Sequence, residues 1–419
     1  MRHGIVRRPW LLLARRSIPT PSLSLGFLTP GILPAGVTFS RASIGTYIDA
    51  TGLVQTATTN AARWDYDPVT HALRGLRIEE ARTNAVLQSG DFTSATWVKT
   101  SYTVSAGVPG PNGPTTGSGF ISNAAGIGFA SQNLNYTAGT AQTISCFVKA
   151  GSLSTVTLLM SGSGWADASL RSALFDLATG TVSSTSGSTA VASMQPFGNG
   201  WYRCQLTATP NQASASANTQ FCRATANGDG TTVQYYIWGP QFEAGGYATT
   251  YIPTTTAAVT RAAEDCGMPT GAWFSSTAST LLVEYILRVA ADTVNSHDAC
   301  ILNDGTYNNR MLLRGINSAT GSAMVITSIA GATATLDTPG KLPLVGIPIR
   351  LAGSWDGTTV AMGNRGATNQ IANGKPSAIT ALTIGSSFAS GVNHLSGHIR
   401  RIQYWPRALS TQDLSGLTR

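Results

Sequence analysis

Charge is scarce in this sequence. Asp, Glu, Lys and Arg together make up 11% of the chain, less than half the ordinary share of about a quarter. With 42% hydrophobic residues, that scarcity excludes global disorder and leaves Ser, Thr, Asn and Gly to form the polar surface. Acids are missing altogether from residues 1–48, where Arg2, Arg7, Arg8, Arg15, Arg16 and Arg41 supply +6 of the formal +8. The remainder is nearly neutral. Long apolar runs are absent too. Trp10-Leu11-Leu12-Leu13-Ala14 is closed by Arg15-Arg16, short of the ~7–15 residues of a secretory h-region and of the ~20 of a membrane span. Neither an export signal of its own nor membrane insertion is expected.

Cysteine is sparse and unpatterned. The five (Cys146, Cys204, Cys222, Cys266, Cys300) are odd in number and widely spaced, with no C-x-x-C. Three lie in alternating apolar runs, where a free thiol behaves as a small hydrophobe; a Cys204–Cys222 bridge across a hairpin is the alternative. Catalytic patterns are lacking as well. There is no G-x-S-x-G, and His3, His71, His297, His394 and His398 stand in no triad context. His394 and His398 have the i, i+4 spacing of a helical metal pair, but NHLSGHIRRI reads as a turn entering a strand, so that argument lapses. Asp65/Asp67 and Glu79/Glu80 are the close carboxylate pairs of the first half. Asp67 precedes Pro68 and reads as a turn former. Adjacent Glu79 and Glu80 on a strand point to opposite faces, and Arg74, Arg77 and Arg82 nearby suggest ion pairs that fix a joint between modules. No enzyme is predicted.

What is plentiful is glycine, 45 residues of it, together with Ser/Thr stretches suited to short strands and tight turns. Alternation recurs along the chain without helical periodicity, so the fold class expected is all-β: two β-sandwich domains after an extended basic arm and a small β-rich segment. The divisions are 1–35, an arm punctuated by Pro9, Pro19, Pro21, Pro30 and Pro34 that cannot form long strands; 36–84, a β-rich attachment and joint segment; 85–253, a first sandwich; 254–267, a polar linker; and 268–419, a second sandwich. In the first sandwich Ile144, Cys146 and Val148 share a face, as do Tyr202, Cys204 and Leu206. Residues 107–119, 180–189 and 212–219 read as long Gly/Ser/Thr loops. In the second, Leu281, Val283, Tyr285, Leu287 and Val289 face one way, with Glu284 and Arg288 opposite. One short helix near the C-terminus is expected, with Ser410 as N-cap and Asp413 completing a capping box.

Residues Phe39–Ser43 (FSRAS), Asp49–Gly52 (DATG), Arg63–Pro68 (RWDYDP) and Leu76–Asn84 (LRIEEARTN) resemble a module shared by many phage and prophage tail, fibre and head-spike proteins, departing from its pattern at Trp64 and Arg77. The stretch from Asn84 to Ile252, with Phe147–Gly151 (FVKAG), Gly200–Arg203 (GWYR) and Trp238–Gly245 (WGPQFEAG), looks like the carbohydrate-binding-type jelly roll that follows in those proteins. The C-terminal part, with Trp355–Thr359 (WDGTT) and Gly397–Leu409 (GHIRRIQYWPRAL), is similar to laminin-G/concanavalin-like sandwiches, and gene-transfer-agent head spikes have related architecture. The resemblance implies a structural virion protein of the head-spike or tail-fibre type, on the exterior of a phage or phage-like particle. Its partners would be other virion proteins (capsid, neck or tail) and bacterial surface polysaccharide, as a homo-oligomer and plausibly a trimer. A ligand-free decoration protein is the structural alternative and a polysaccharide depolymerase the enzymatic one.

Sugar recognition rests on aromatic faces plus a few directed hydrogen bonds. Trp165 lies in a Gly/Ser loop, SGSGWADAS, where a large aromatic has no evident core role. It is the first glycan-binding candidate, and the polar loop bearing Tyr307, Asn308 and Arg310 the second. Trp201 and Trp238 sit in strand patterns and read as core, and Trp355 and Trp405 as packed. Arg7, Arg8, Trp10, Arg15 and Arg16 would dock the arm on an acidic protein surface; no aromatic–basic stripe follows them, so nucleic acid is not the expected partner. No cofactor is called for. Ca²⁺ is the one metal worth weighing, since hard oxygen ligands suit it, with Asp304 and Asp356 as weak candidates that are equally ordinary turn formers.

Overall fold

A computed structural model describes residues 18–123, 126–288, 297–318, 321–329, 332–337, 344–374, 376, 378–387 and 393–419. It is nearly all β. Four large antiparallel sheets form two stacked pairs, and the single α-helix among the described residues is Thr411–Leu417. Ser410 accepts from the Asp413 backbone N–H while Asp413 accepts from that of Ser410. Leu414 is buried beneath this helix against Leu282 and Trp405. No described helix is long and apolar enough to cross a membrane.

The inserted sandwich is built from two six-stranded sheets. Gln142–Ala150 lies between Trp201–Ala208 and Tyr235–Ala244 in one sheet, and Thr155–Met160 lies between Arg171–Asp176 and Ser214–Ala224 in the other. Alternation works as expected: Ile144, Cys146, Val148, Cys204 and Leu206 enter the core, with Tyr202 packed at its margin. All five cysteines are buried and free. Cys146 faces Cys204 across neighbouring strands, whereas Cys204 and Cys222 belong to different sheets.

The Gly/Ser/Thr stretches depart from expectation. They are largely strand: Tyr102–Gly110 with Gly113–Ser122, Thr181–Ser186, and Ser214–Ala224. Thr181–Ser186 is an edge strand exposed along nearly its whole length, so it forms ladder hydrogen bonds without an apolar face for periodicity to reveal. Polar edges of this kind also resist pairing with other chains. In Ser214–Ala224 the inward positions are the small Ala217 and Thr219 before Phe221, a pattern too faint to separate from a loop.

The outer sandwich takes strands from both ends of the chain. Its eight-stranded sheet has Ser279–Leu287 between Pro348–Trp355 and Gly397–Trp405. Leu23–Gly26 and Leu73–Ile78 both pair with Gly397–Trp405, and Trp64–Tyr66 continues beyond Leu73–Ile78. Thr38–Ser40 joins the opposing sheet through Asp265–Pro269. Leu25, Phe27, Leu76 and Ile78 lie in one core with Leu281, Val283, Tyr285 and Leu287; Val289 lies outside the described residues. Three boundaries are thereby corrected. Residues 18–35 are not a separate arm, because Leu25 and Phe27 are core residues and Trp405 Nε1 donates to the Pro19 carbonyl at 2.6 Å. Residues 36–84 are not a separate attachment segment, since Thr38–Ser40, Trp64–Tyr66 and Leu73–Ile78 complete the outer sheets. Residues 254–267 are not a free polar linker: Val259–Arg261 pairs with Arg82–Asn84 to make the neck through which the chain enters and leaves the inserted sandwich.

A cationic cleft between the sandwiches as candidate site

The neck is locked by buried charge. Arg63 donates to Glu264 from Nε at 2.7 Å and Nη2 at 2.8 Å, and to Glu79 at 2.9 Å. Arg41 reaches Glu264 at 2.8 Å, Arg261 reaches Glu79 at 2.6 Å, and Arg77 bridges Glu79 at 2.6 Å and Asp65 at 3.1 Å. Thr250, at the exit of the inserted sandwich, donates its hydroxyl to Glu79 at 2.7 Å. Glu80 looks the other way, to Arg82, Tyr247 and Ser396. The two adjacent glutamates thus serve opposite clusters, and the expected ion pairing of Arg74, Arg77 and Arg82 is present. Burial alone would raise the Glu79 and Glu264 carboxyls. The surrounding guanidiniums, Arg261 first for Glu79 and Arg63 for Glu264, outweigh it and hold both below the usual carboxylate range.

Above this network lies a cleft of about 460 Å³, within the roughly 300–1,000 Å³ typical of small-ligand sites. One wall is the hairpin Gly45–Ile48 and Val54–Ala57, whose turn is set by Asp49 accepting from the Thr51 and Leu53 N–H groups. The facing wall is the outer face of the inserted sandwich. Because Cys146 and Val148 point into the core, Phe147 between them points out, onto a second cluster with Val54, Trp201, Trp238 and Tyr251. Trp201 and Trp238 are therefore packed, as expected of them, but in this interface cluster and not in the sandwich core. Thr70, Gln195, Val345 and Gly346 form an exposed rim.

Two arginines line the cleft without a carboxylate partner among the described residues. Arg203 is the cross-strand partner of Phe147 and lies over its ring at 5.2 Å. It is 6% exposed and, among the described residues, donates only to the Ser145 hydroxyl at 3.2 Å and leaves its Nε with no partner. Arg288 follows directly on Ser279–Leu287, lines the same cleft and is half-buried. Burial pushes Arg203 down to about 10; for Arg288 burial, followed by the like charges of Arg77 and Arg203, pushes it down to about 9. Both remain charged at neutral pH. Around the floor Arg41, Arg63, Arg77, Arg203, Arg261 and Arg288 meet the carboxylates Asp65, Glu79, Glu243 and Glu264. Two positive charges are left over.

The carboxylates that line the cleft are engaged. Asp65 accepts from the Ile48 N–H at 2.7 Å, Arg77 at 3.1 Å and His398 Nε2 at 2.8 Å. Burial would raise its pKa, but the His398 hydrogen bond and the Arg77 charge hold it far below the usual range. Asp67 accepts from the Val69 and Thr70 N–H groups and from Arg74; those contacts outweigh burial and bring it down to about 2. Neither can supply a proton at neutral pH, as a glycosidic general acid must.

The residues singled out from sequence fall elsewhere. Trp165 is corrected: it is 2% exposed, packed edge-on against Tyr136 and under the Arg171 guanidinium at 4.4 Å, with its Nε1 donating to the Thr209 carbonyl at 3.0 Å. A short 3₁₀ turn, Gly162–Gly164, folds the Gly/Ser loop inward and gives the indole a core role that loop composition hid. Tyr307 is 49% exposed with Arg310 over its ring at 4.6 Å, and Asn308 beside it is exposed; this patch is apart from the cleft. Asp304 caps the Thr306 N–H and Asp356 those of Thr358 and Thr359, as turn formers do. Among the described residues no group of three or more His, Cys, Asp or Glu is placed to hold a metal. Arg7, Arg8, Trp10, Arg15 and Arg16 lie outside the described residues. The sequence reading missed Arg203, although an arginine opposite Cys204 and Leu206 in an apolar strand was a visible signal. Alternation sets Arg288 opposite the core-facing residues, and its part in the cleft has no signal in the sequence.

No protein-family model and no curated protein matches the chain, so the resemblance to phage tail and head-spike proteins finds no support there. Among solved structures, similarity is found to the CBM40 module of Ruminococcus gnavus IT-sialidase bound to α2,3 sialyllactose (15% identity, TM-score 0.29, 35% of this chain and 84% of that one). It is also found to domain 4 of AbnA, an extracellular arabinanase from Geobacillus stearothermophilus in complex with arabinotriose (15%, TM-score 0.29, 42% and 82%). A third is a SAP-like pentraxin from Limulus polyphemus (15%, TM-score 0.27, 33% and 69%). Each likeness covers a minority of this chain.

Proposed function

We propose that this chain is a non-enzymatic glycan-binding protein whose ligand enters the cleft between the two sandwiches. The observation that carries this reading is a cleft with an aromatic wall and a polar rim, its floor holding two guanidiniums without a carboxylate partner among the described residues. Apolar contact with sugar C–H faces, combined with a few directed donors, is the chemistry of saccharide recognition. The engaged state of Asp65 and Asp67 speaks for binding over hydrolysis. The setting is the exterior of a phage or phage-like particle, in several copies, as in a trimer. The motifs of residues 36–84 suggest that setting, and the basic residues Arg7, Arg8, Arg15 and Arg16 would contact other virion proteins. Copy number would then multiply weak single-site binding through effective concentration.

The test is adhesion of the full chain to intact bacteria with and without their surface polysaccharide, alongside Thr70→Trp, which fills the exposed rim without touching a core. Expected are binding that disappears with the polysaccharide and a Thr70→Trp variant that melts normally but binds at least tenfold less. Adhesion indifferent to the polysaccharide, or absent in every strain tried, overturns the proposal and leaves a ligand-free decoration protein.

A further inference from the structure

We infer that the saccharide recognised in the cleft is anionic, its carboxylate or phosphate group seated between Arg203 and Arg288. The inference rests on the glycan-binding reading above and adds the chemical class of the ligand.

Three observations converge on it. The first is the cost of the arrangement. A guanidinium out of water is expensive unless a charge or a set of hydrogen bonds compensates it. Arg41, Arg63, Arg77 and Arg261 each have a carboxylate within hydrogen-bond reach, yet among the described residues Arg203 has none and its buried Nε is without any partner. The second is direction. Arg203 and Arg288 come from different sandwiches and both line the same cleft. An anion there would meet two cations, one carried by the strand Trp201–Ala208 and one placed directly after the end of Ser279–Leu287. The third is the surplus. Two positive charges remain around the floor after the buried carboxylates are counted, while the outlying pairs Arg74–Asp67 and Arg82–Glu80 balance themselves.

Guanidinium is also the group suited to this ligand. Its planar fork of donors matches the oxygens of a carboxylate or phosphate, and it is less strongly hydrated than an ammonium. With Arg203 stacked on Phe147, its fork is fixed by the ring beneath it. The aromatic wall of Phe147, Phe197 and Tyr251 then lies beside the anion, where the apolar face of the sugar ring would rest.

The experiment uses the full chain and an array of acidic oligosaccharides, each paired with its carboxyl-reduced or dephosphorylated counterpart, with Arg288→Met read in parallel. Arg288 is half-buried and has no carboxylate partner among the described residues, so its replacement leaves the neck network whole; a melting curve checks that. Expected are acidic members bound at least tenfold tighter than their neutral counterparts, a preference lost in Arg288→Met, and tightening as salt is lowered. Whichever neutralisation abolishes binding tells carboxylate from phosphate. Equal binding of neutral and acidic members, or an undiminished preference in Arg288→Met, overturns the inference and leaves the glycan-binding reading standing. No binding to any member overturns both.

Discussion

Arg63 and Glu264 are two hundred residues apart in sequence and joined by a two-pronged ion pair, Nε to Oε1 at 2.7 Å and Nη2 to Oε2 at 2.8 Å, both side chains fully buried. The pair closes the chain around the inserted sandwich: Arg63 precedes the insertion and Glu264 follows it. Removing one member of a buried pair leaves the other charge uncompensated, which costs about 3–5 kcal/mol. Glu264→Gln should lose that much in urea denaturation, because Arg41 then has no carboxylate within reach and Arg63 keeps only Glu79. A loss below about 1 kcal/mol, the scale of a surface pair, would mean that water enters the neck.

Acid should loosen the same region. His398 is kept neutral, since burial first and the Arg77 charge next push it down to about 4, against the pull of Asp65. Its Nε2 lies 2.8 Å from Asp65 and 3.1 Å from Arg77 Nη1, while Nδ1 is buried without a partner among the described residues. An unfolded chain takes up that proton near pH 6.5 and the folded one only near 4. This stabilising contribution is therefore complete above about pH 6.5 and lost as pH falls toward 4, on the order of 3 kcal/mol over the interval. Asp65 and Glu79, held below their usual range, lose theirs at still lower pH, as it falls through their folded pKa values. His398→Gln, which keeps a donor for Asp65, should flatten the pH 4–6.5 limb of the stability curve; an unchanged slope would assign that limb to other groups.

Trp165→Ala should cost about 3–5 kcal/mol, as large core truncations do, and leave saccharide affinity of the folded protein unchanged. Thermal melting and array binding on one preparation separate the two effects. Lost binding with unchanged stability would restore Trp165 as a contact.

Tyr307→Ala lies on the surface and should shift stability by no more than about 0.5 kcal/mol. If the cleft is the glycan site, adhesion is unaltered. A tenfold fall in adhesion would mark the Tyr307–Arg310 patch as a second site.

Phe27→Ala probes the N-terminal boundary. Phe27 is fully buried in the outer sandwich with Leu25, so a loss of about 3–5 kcal/mol is expected. A near-neutral effect would return residues 18–35 to the status of a detachable arm. Truncations meant to test virion docking should accordingly stop before Pro19, whose carbonyl holds Trp405.

The sequence by itself determined the secondary structure class and much of the core. Alternation in Gln142–Ala150, Trp201–Ala208 and Ser279–Leu287 assigns Cys146, Leu206 and Val283 to one face of each strand, the face that meets the opposing sheet. Ser410 and Asp413 marked the helix start through a local capping rule, and Asp67, Asp304 and Asp356 were legible as turn formers for the same reason: the hydrogen bonds involved span two or three residues. What tertiary structure alone decided is everything that depends on pairing across the insertion. That Leu23–Gly26 and Leu73–Ile78 both flank Gly397–Trp405, that Arg63 meets Glu264, and that Arg203 and Arg288 line one cleft are non-local facts with no periodic trace. Trp165 shows the limit from the other side. Its Gly/Ser neighbours have the composition of a surface loop, and only the inward turn of that loop, with a carbonyl at Thr209 to receive the indole N–H, made it core.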